Sequence, residues 1–243
     1  DANIDNLIYE GGRVGELMFS TVYLPLADNT HQVDLHFLRD QIEVLSATAL
    51  YKMGKTDHLD GTLDVTHLPL EMVNPFIPDN MASLSGVLEG NMTIKGSSKE
   101  PKVNGYIEMD STSMFVTAVG TSFRVDDKKI VVKDNQVVFD EYHIHAAGKN
   151  PFVIDGTIDF HNPSRMMADL KLKANNMQLL DVKRNKESLV YGKLLVNLAS
   201  TVKGPLDALI MRGSLQLLGG TNVTYVMQDS PLTVQDRLSD LVT

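Results

Sequence analysis

A duplicated hairpin of alternating residues constrains this chain more than any other feature. In LSGVLEGNMTIKGSSKEPKVNGYIEM, residues 84–109, Leu88, Gly90, Met92 and Ile94 fall on one face of an extended segment and Glu89, Asn91, Thr93 and Lys95 on the other. A period of two over that length is the pattern of a half-buried strand. Gly96, Ser97, Ser98 and Pro101 interrupt it as turn residues do. Beyond them Val103, Gly105, Ile107 and Met109 oppose Asn104, Tyr106, Glu108 and Asp110, which predicts a hairpin with one apolar face.

The construction returns in YGKLLVNLASTVKGPLDALIMRGSLQLL, residues 191–218. Lys95-Gly96 matches Lys203-Gly204 at an offset of 108, and Gly105, Ile107 and Met109 match Gly213, Leu215 and Leu217 at the same offset. Gly86 matches Gly192 with two extra residues in the second copy, an even insertion that keeps Leu194, Val196, Leu198 and Val202 on one face. Upstream, LDVTHLPLEMV (63–73) resembles LKLKANNMQLL (170–180) at an offset of 107. A repeat of long β-hairpins is therefore the expected organisation.

The rest of the chain follows the same alternation. Residues 4–9 and 16–24, joined by Gly11, Gly12 and Gly15, predict an opening hairpin, and strands are expected over VDLHF from Val33 and IEVLSATALYKM from Ile42. HLPLEMVNPFIPDN carries three prolines and an i, i+3 apolar spacing, the mark of a short helical connector ending before Pro78. Short strands are expected at 114–119, 130–133, 137–140, 142–147 and 152–160, then one at 168–174 leading into a polar, helix-like connector. In the tail Ser230 stands as an N-cap, Pro231 at the first helical position, and Val234, Leu238, Leu241 and Val242 on one stripe, predicting an amphipathic helix. The expected divisions are a leading hairpin region (1–56), a first repeat (57–162), a second repeat (163–229) and the C-terminal helix (230–243).

Composition narrows the function. A formal charge of −9 with no basic run argues against a nucleic-acid partner, which needs cations to neutralise phosphates. Absence of cysteine excludes a disulfide framework and a thiolate zinc site. No apolar run approaches the ~20 residues of a bilayer-crossing helix, and DANIDNLIYEGG has neither the basic start nor the apolar middle of a signal peptide. An abrupt start and end within strand patterns is what a piece cut from a longer array would show.

Catalytic constellations are missing. There is no G-x-S-x-G, no His tied by a motif to a Ser, and no glycine-rich loop between a strand and a helix. Carboxylate pairs such as Asp126-Asp127, or Asp155 with Asp159, are expected at strand ends and on the polar face. The best metal candidate is EYHIH, where His143 and His145 share a strand face with Glu141 alongside. Tyr142, Ile144 and Ala146 take the apolar face, so the histidines are expected on the polar side with no further ligand nearby. The chain is accordingly expected to be non-catalytic, without metal or other cofactor.

What remains is the apolar face: Leu63, Val65, Leu88, Met92, Ile94, Ile107, Met109, Phe152, Ile154, Ile158, Phe160, Leu194, Val196, Leu198, Val202, Leu215 and Leu217. In a closed sandwich or barrel such a set is simply core. Long hairpins without covering helices, and an aliphatic set with few aromatics, favour an open or elongated arrangement instead, whose groove suits acyl chains at about 0.8 kcal/mol per buried CH2.

The two hairpins, together with HAAGKNPFVIDGTIDF followed by MADLKLKANNMQLLDV and the tail DRLSDLV, resemble the recurrent glycine and alternating-strand pattern of TamB proteins in the AsmA-like group. The likeness covers most of residues 57–243 and rests on the order and duplication of the pattern rather than on any single motif. It implies a mainly β chain: an elongated, twisted, antiparallel-rich sheet forming a taco-like groove or half-barrel with an apolar interior. It further implies a periplasmic location, an inner-membrane anchor elsewhere in the full-length protein, an Omp85-class outer-membrane partner, and phospholipid as cargo. The alternative it carries is a scaffold for outer-membrane protein assembly through β-strand augmentation.

Overall fold

The computed structural model describes residues 1–9, 12–55, 57–77, 81–184 and 190–226. They form one antiparallel sheet of fifteen strands. Seven come first: β1 (Ala2–Tyr9), β2 (Gly12–Pro25), β3 (Thr30–Arg39), β4 (Ile42–Lys52), β5 (His58–Pro69), β6 (Ala82–Gly96) and β7 (Pro101–Val116). Two short strands follow, β8 (Thr121–Val125) and β9 (Ile130–Lys133). The remainder are β10 (Gln136–His145), β11 (Phe152–Asp159), β12 (Met167–Val182), β13 (Val190–Pro205), β14 (Ile210–Leu217) and β15 (Asn222–Tyr225). Spatial order follows chain order from β1 to β8 and from β10 to β14, with β9 beside β7 and β10 and β15 beside β13. Strands β1 and β14 end the path and do not pair with each other, so the sheet is open rather than a closed barrel.

The expected connector after β5 is a 3-10 helix, Leu70–Phe76. It is pinned to the start of β6: the Asn74 amide donates to the Leu84 carbonyl at 2.8 Å and accepts the Leu84 N–H at 2.7 Å, while Glu71 accepts the Gly86 N–H at 3.0 Å. Three expectations are corrected. Residues 114–119 are not a separate strand but the end of β7 running into a second 3-10 turn, Thr117–Val119. Segments 137–140 and 142–147 form one strand, β10, interrupted by a bulge at Glu141, which has φ 45° and donates its N–H to Asp155. The polar connector after Ala174 is absent, because β12 continues through it. Asn176 takes φ 46°, donates its N–H to the Asn197 side chain at 2.7 Å and accepts from Asn150, so a bulge absorbs the polar residues without ending the strand. The predicted helix at 230–243 lies outside the described residues.

Hydrogen-bond register deepens the repeat. Met92 faces Gly105 and Ser200 faces Gly213, pairs related by the offset of 108. On the other flank Leu63 faces Met92 and Leu172 faces Ser200, so β5 and β12 are related by 109, not by the 107 that residue likeness indicates. The error is two residues and leaves every face assignment intact. The bulge between Val65 and Leu68 recurs between Ala174 and Met177, and the outer ion pair Lys95–Asp60 (3.6 Å) recurs as Lys203–Asp169 (2.8 Å). Two strands further back, Leu35–Ala47–Leu63 recurs as Tyr142–Ile154–Leu172. Strands β3–β7 are thus repeated as β10–β14. The expected divisions after residues 56 and 162 fall between hydrogen-bonded strands of this one sheet.

Candidate functional site

Opposed residues in a sheet share a face, and the register extends the apolar alternation from strand to strand. Phe19, Phe37, Leu45, Val65, Gly90, Ile107 and Ile130 stand opposite one another in succession. So do Ile144, Phe152, Ala174, Leu198 and Leu215. The pairs Val132–Val137 and Val137–Ile158 join the two halves. Ile107 and Leu215 therefore point to the same side, as the repeat requires.

All the expected lining residues that lie in strands occupy this inner face. Phe160 follows the end of β11 and donates its N–H to the Asn135 carbonyl at 2.9 Å. Their exposure is informative. Val196 is 5% exposed, whereas Leu215 and Leu217 on β14 are 64% and 66% exposed, and the others are only half-buried. Among the described residues, one layer of sheet gives most of these side chains neighbours within the sheet but no opposing layer.

The face is covered where β8 and the 3-10 turn before it approach β12 and β13. A β-carbon on Gly120 would lie 3.5 Å from Val182. Beneath this overhang Ala146, Ala174, Met177 and Val196 form the buried cluster, with Phe123, Phe152, Leu179, Leu194 and Leu198 packed against it. Beside them is a cavity of about 360 Å³ lined entirely by apolar side chains: Met114, Phe123, Ile144, Phe152, Ala174, Met177, Leu179, Val196, Leu198 and Leu215. That volume is within the ~300–1,000 Å³ range of small-molecule sites. Phe152, Val196, Leu198 and Leu215 belong to the expected lining; the remaining expected strand residues share the face but stand outside the cavity. Phe123 and Leu179 escape sequence reasoning, the first because β8 is too short to show a period and the second because it sits at a register shift in β12.

Tyr142 joins the two faces. Its side chain is 3% exposed, and its hydroxyl donates to the Asp126 carbonyl at 3.1 Å. Burial, followed by the nearby Asp126 and Asp127 charges, pushes the phenol up to about 12.

On the outer face His143 and His145 lie on the polar side, as expected, but the expectation of no further ligand is corrected. Asp126, one residue beyond β8, places Oδ2 3.1 Å from His143 Nδ1 and Oδ1 3.3 Å from His145 Nε2. Glu141 takes no part in the cluster. Compared with known proteins, the chain matches no family model, no curated protein and no solved structure.

Proposed function

We propose that this chain is a segment of a TamB-like periplasmic body that shields phospholipid acyl chains along its inner face. The observation that carries the reading is the combination of unbroken apolar alternation with incomplete burial. A closed core built from this face would hold its side chains below a tenth exposed, yet most of the strand residues on it are half-open. Acyl chains complete such a surface by removing it from water, at roughly 25 cal/mol per Å² of apolar area. The cavity under β8 lies on this path, and the exposed Leu215 and Leu217 continue it to the sheet edge.

A second reading has one observation in its favour. Among the described residues β14 is a long edge strand exposed along its whole length, the geometry that accepts an added strand from a client protein.

Gentle purification followed by solvent extraction and mass spectrometry tests the first reading, with co-purified phospholipid expected. Leu215→Asp is the discriminating variant. The site is exposed, so folding is retained, while a charge facing acyl chains costs several kcal/mol of desolvation. Bound lipid should fall strongly with Leu215→Asp and be unchanged with Gln216→Glu on the opposite face. Equal effects from both would remove the face argument.

A further inference from the structure

We propose that Asp126, His143 and His145 form a binding site for a divalent transition metal of the zinc class on the outer face of the sheet. One donor atom from each lies within 4.8 Å of the other two. The two histidines come from one strand two residues apart, and the aspartate from the neighbouring chain segment, brought opposite by the pairing of β8 with β10. Their rings stand nearly perpendicular, at 89° and 6.1 Å between centres, so both nitrogens converge on the carboxylate without stacking.

The distances suit a metal. Bonds of about 2.0–2.2 Å to nitrogen and oxygen in tetrahedral geometry place donors roughly 3.3–3.5 Å apart. His143 Nδ1 and His145 Nε2 stand 3.1 and 3.3 Å from the two different oxygens of the Asp126 carboxylate, close to that spacing. The backbone of Asp126 is fixed. Its N–H donates to the His143 carbonyl at 3.1 Å and its carbonyl accepts the Tyr142 hydroxyl. Two imidazoles and one carboxylate favour zinc and its neighbours over calcium or magnesium, which require oxygen ligands.

Three protein ligands leave a fourth position open. Asp126 and His145 border a polar hollow of about 510 Å³ that also holds Ser111, Ser113, Arg124 and Asp127. Water or a small anion has room there. Arg124 opposes the metal charge and Asp127 offsets it.

Location gives the site a consequence. Strand β8 pairs with β10 only at Val125–Ile144 and Arg124–His145. On the inner side Phe123 and Ile144 line the apolar cavity. A metal bridging Asp126 to both histidines staples this short pairing from outside and holds the cavity wall in place. The staple acts whatever occupies the cavity.

Titration of the metal-stripped chain with zinc chloride, followed by calorimetry and competition with a chromophoric chelator, tests it. One equivalent is expected to bind in the micromolar range or tighter, raise the melting temperature, and give tetrahedral visible bands when cobalt(II) replaces zinc. Asp126→Asn and His145→Ala should each weaken binding at least tenfold, while His161→Ala, outside the cluster, should leave it unchanged. Absence of stoichiometric binding by wild type overturns the proposal. So does binding that Asp126→Asn and His145→Ala leave intact while circular dichroism shows both variants folded.

Discussion

Replacing Gly105 with alanine probes how closely β6 and β7 approach. A β-carbon there would stand 2.0 Å from the Asn91 carbonyl oxygen and 2.8 Å from Met92 Cα. Carbon–oxygen contacts settle near about 3.3 Å even when a weak C–H···O attraction draws them together, so the strands must part locally by roughly 1.3 Å. Strands normally run ~4.8 Å apart, and a displacement of that size breaks about two ladder bonds at a net ~1 kcal/mol each. Gly105 also has φ +154°, at the limit of the region disfavoured for alanine. Strain left in the backbone adds about 1–3 kcal/mol, giving an expected loss of roughly 3–5 kcal/mol. The repeat supplies a comparison. A β-carbon on Gly213 meets the Ala199 carbonyl at 2.3 Å, but among the described residues β14 is bonded on one side only along this stretch and can shift outward. Gly213→Ala should therefore cost about half as much, and Gly54→Ala, with nothing within 4 Å of the new carbon, almost nothing. Urea melts followed by far-ultraviolet circular dichroism give the three values. Gly105→Ala falling within about 0.5 kcal/mol of Gly54→Ala, near the scatter of surface substitutions, would refute the close approach.

Two further outcomes are expected. The Ser200 hydroxyl is buried on the inner face with no hydrogen-bond partner among the described residues, so Ser200→Ala should stabilise the chain by about 1 kcal/mol in the same melts; a loss of stability would show that the hydroxyl is satisfied. Asp159 is held down to about 2 by the Gln136 side-chain amide first and then by the His161 N–H and imidazole. Its folded value lies below the ordinary 3.8, so its contribution is complete above that pH and disappears as pH falls towards 2. Asp159→Asn should flatten the acid limb of a stability-against-pH curve over that window, and an unchanged limb would contradict the assignment.

The sheet was legible in the sequence because its signal is local. Alternation such as that of Leu88, Gly90, Met92 and Ile94 needs no partner to be seen, and parity survives errors of two residues, which is why the 107 offset still placed Leu170 and Leu172 on the correct face. The five-strand extent of the repeat was hidden because equivalence lives in register. Leu35–Ala47–Leu63 and Tyr142–Ile154–Leu172 share geometry but almost no residue identity. The polar run at Asn175 and Asn176 looked like a connector because a bulge satisfies the Asn176 backbone through Asn150 and Asn197, contacts made at distances of more than twenty residues. Asp126 was visible only as strand punctuation. Its meeting with His143 and His145 depends on β8 reaching across to β10.

Why the inner face stays open follows from the same registers. Gly61, Gly90, Gly105, Gly156 and Gly213 all stand on it, each opposite a neighbouring strand whose backbone or side chain comes within 3 Å of where a β-carbon would be. Glycine thins that side of the sheet, and the paired bulges at Val65/Leu68 and Ala174/Met177 add local twist at equivalent places in both copies. A sheet thinner on one side bends towards it, drawing the aliphatic residues of each row around a hollow. The same glycines deny that hollow the side chains needed to fill it. Curvature and incomplete burial therefore have one cause, and an apolar ligand packed into the hollow would stabilise the bend by burying its aliphatic lining.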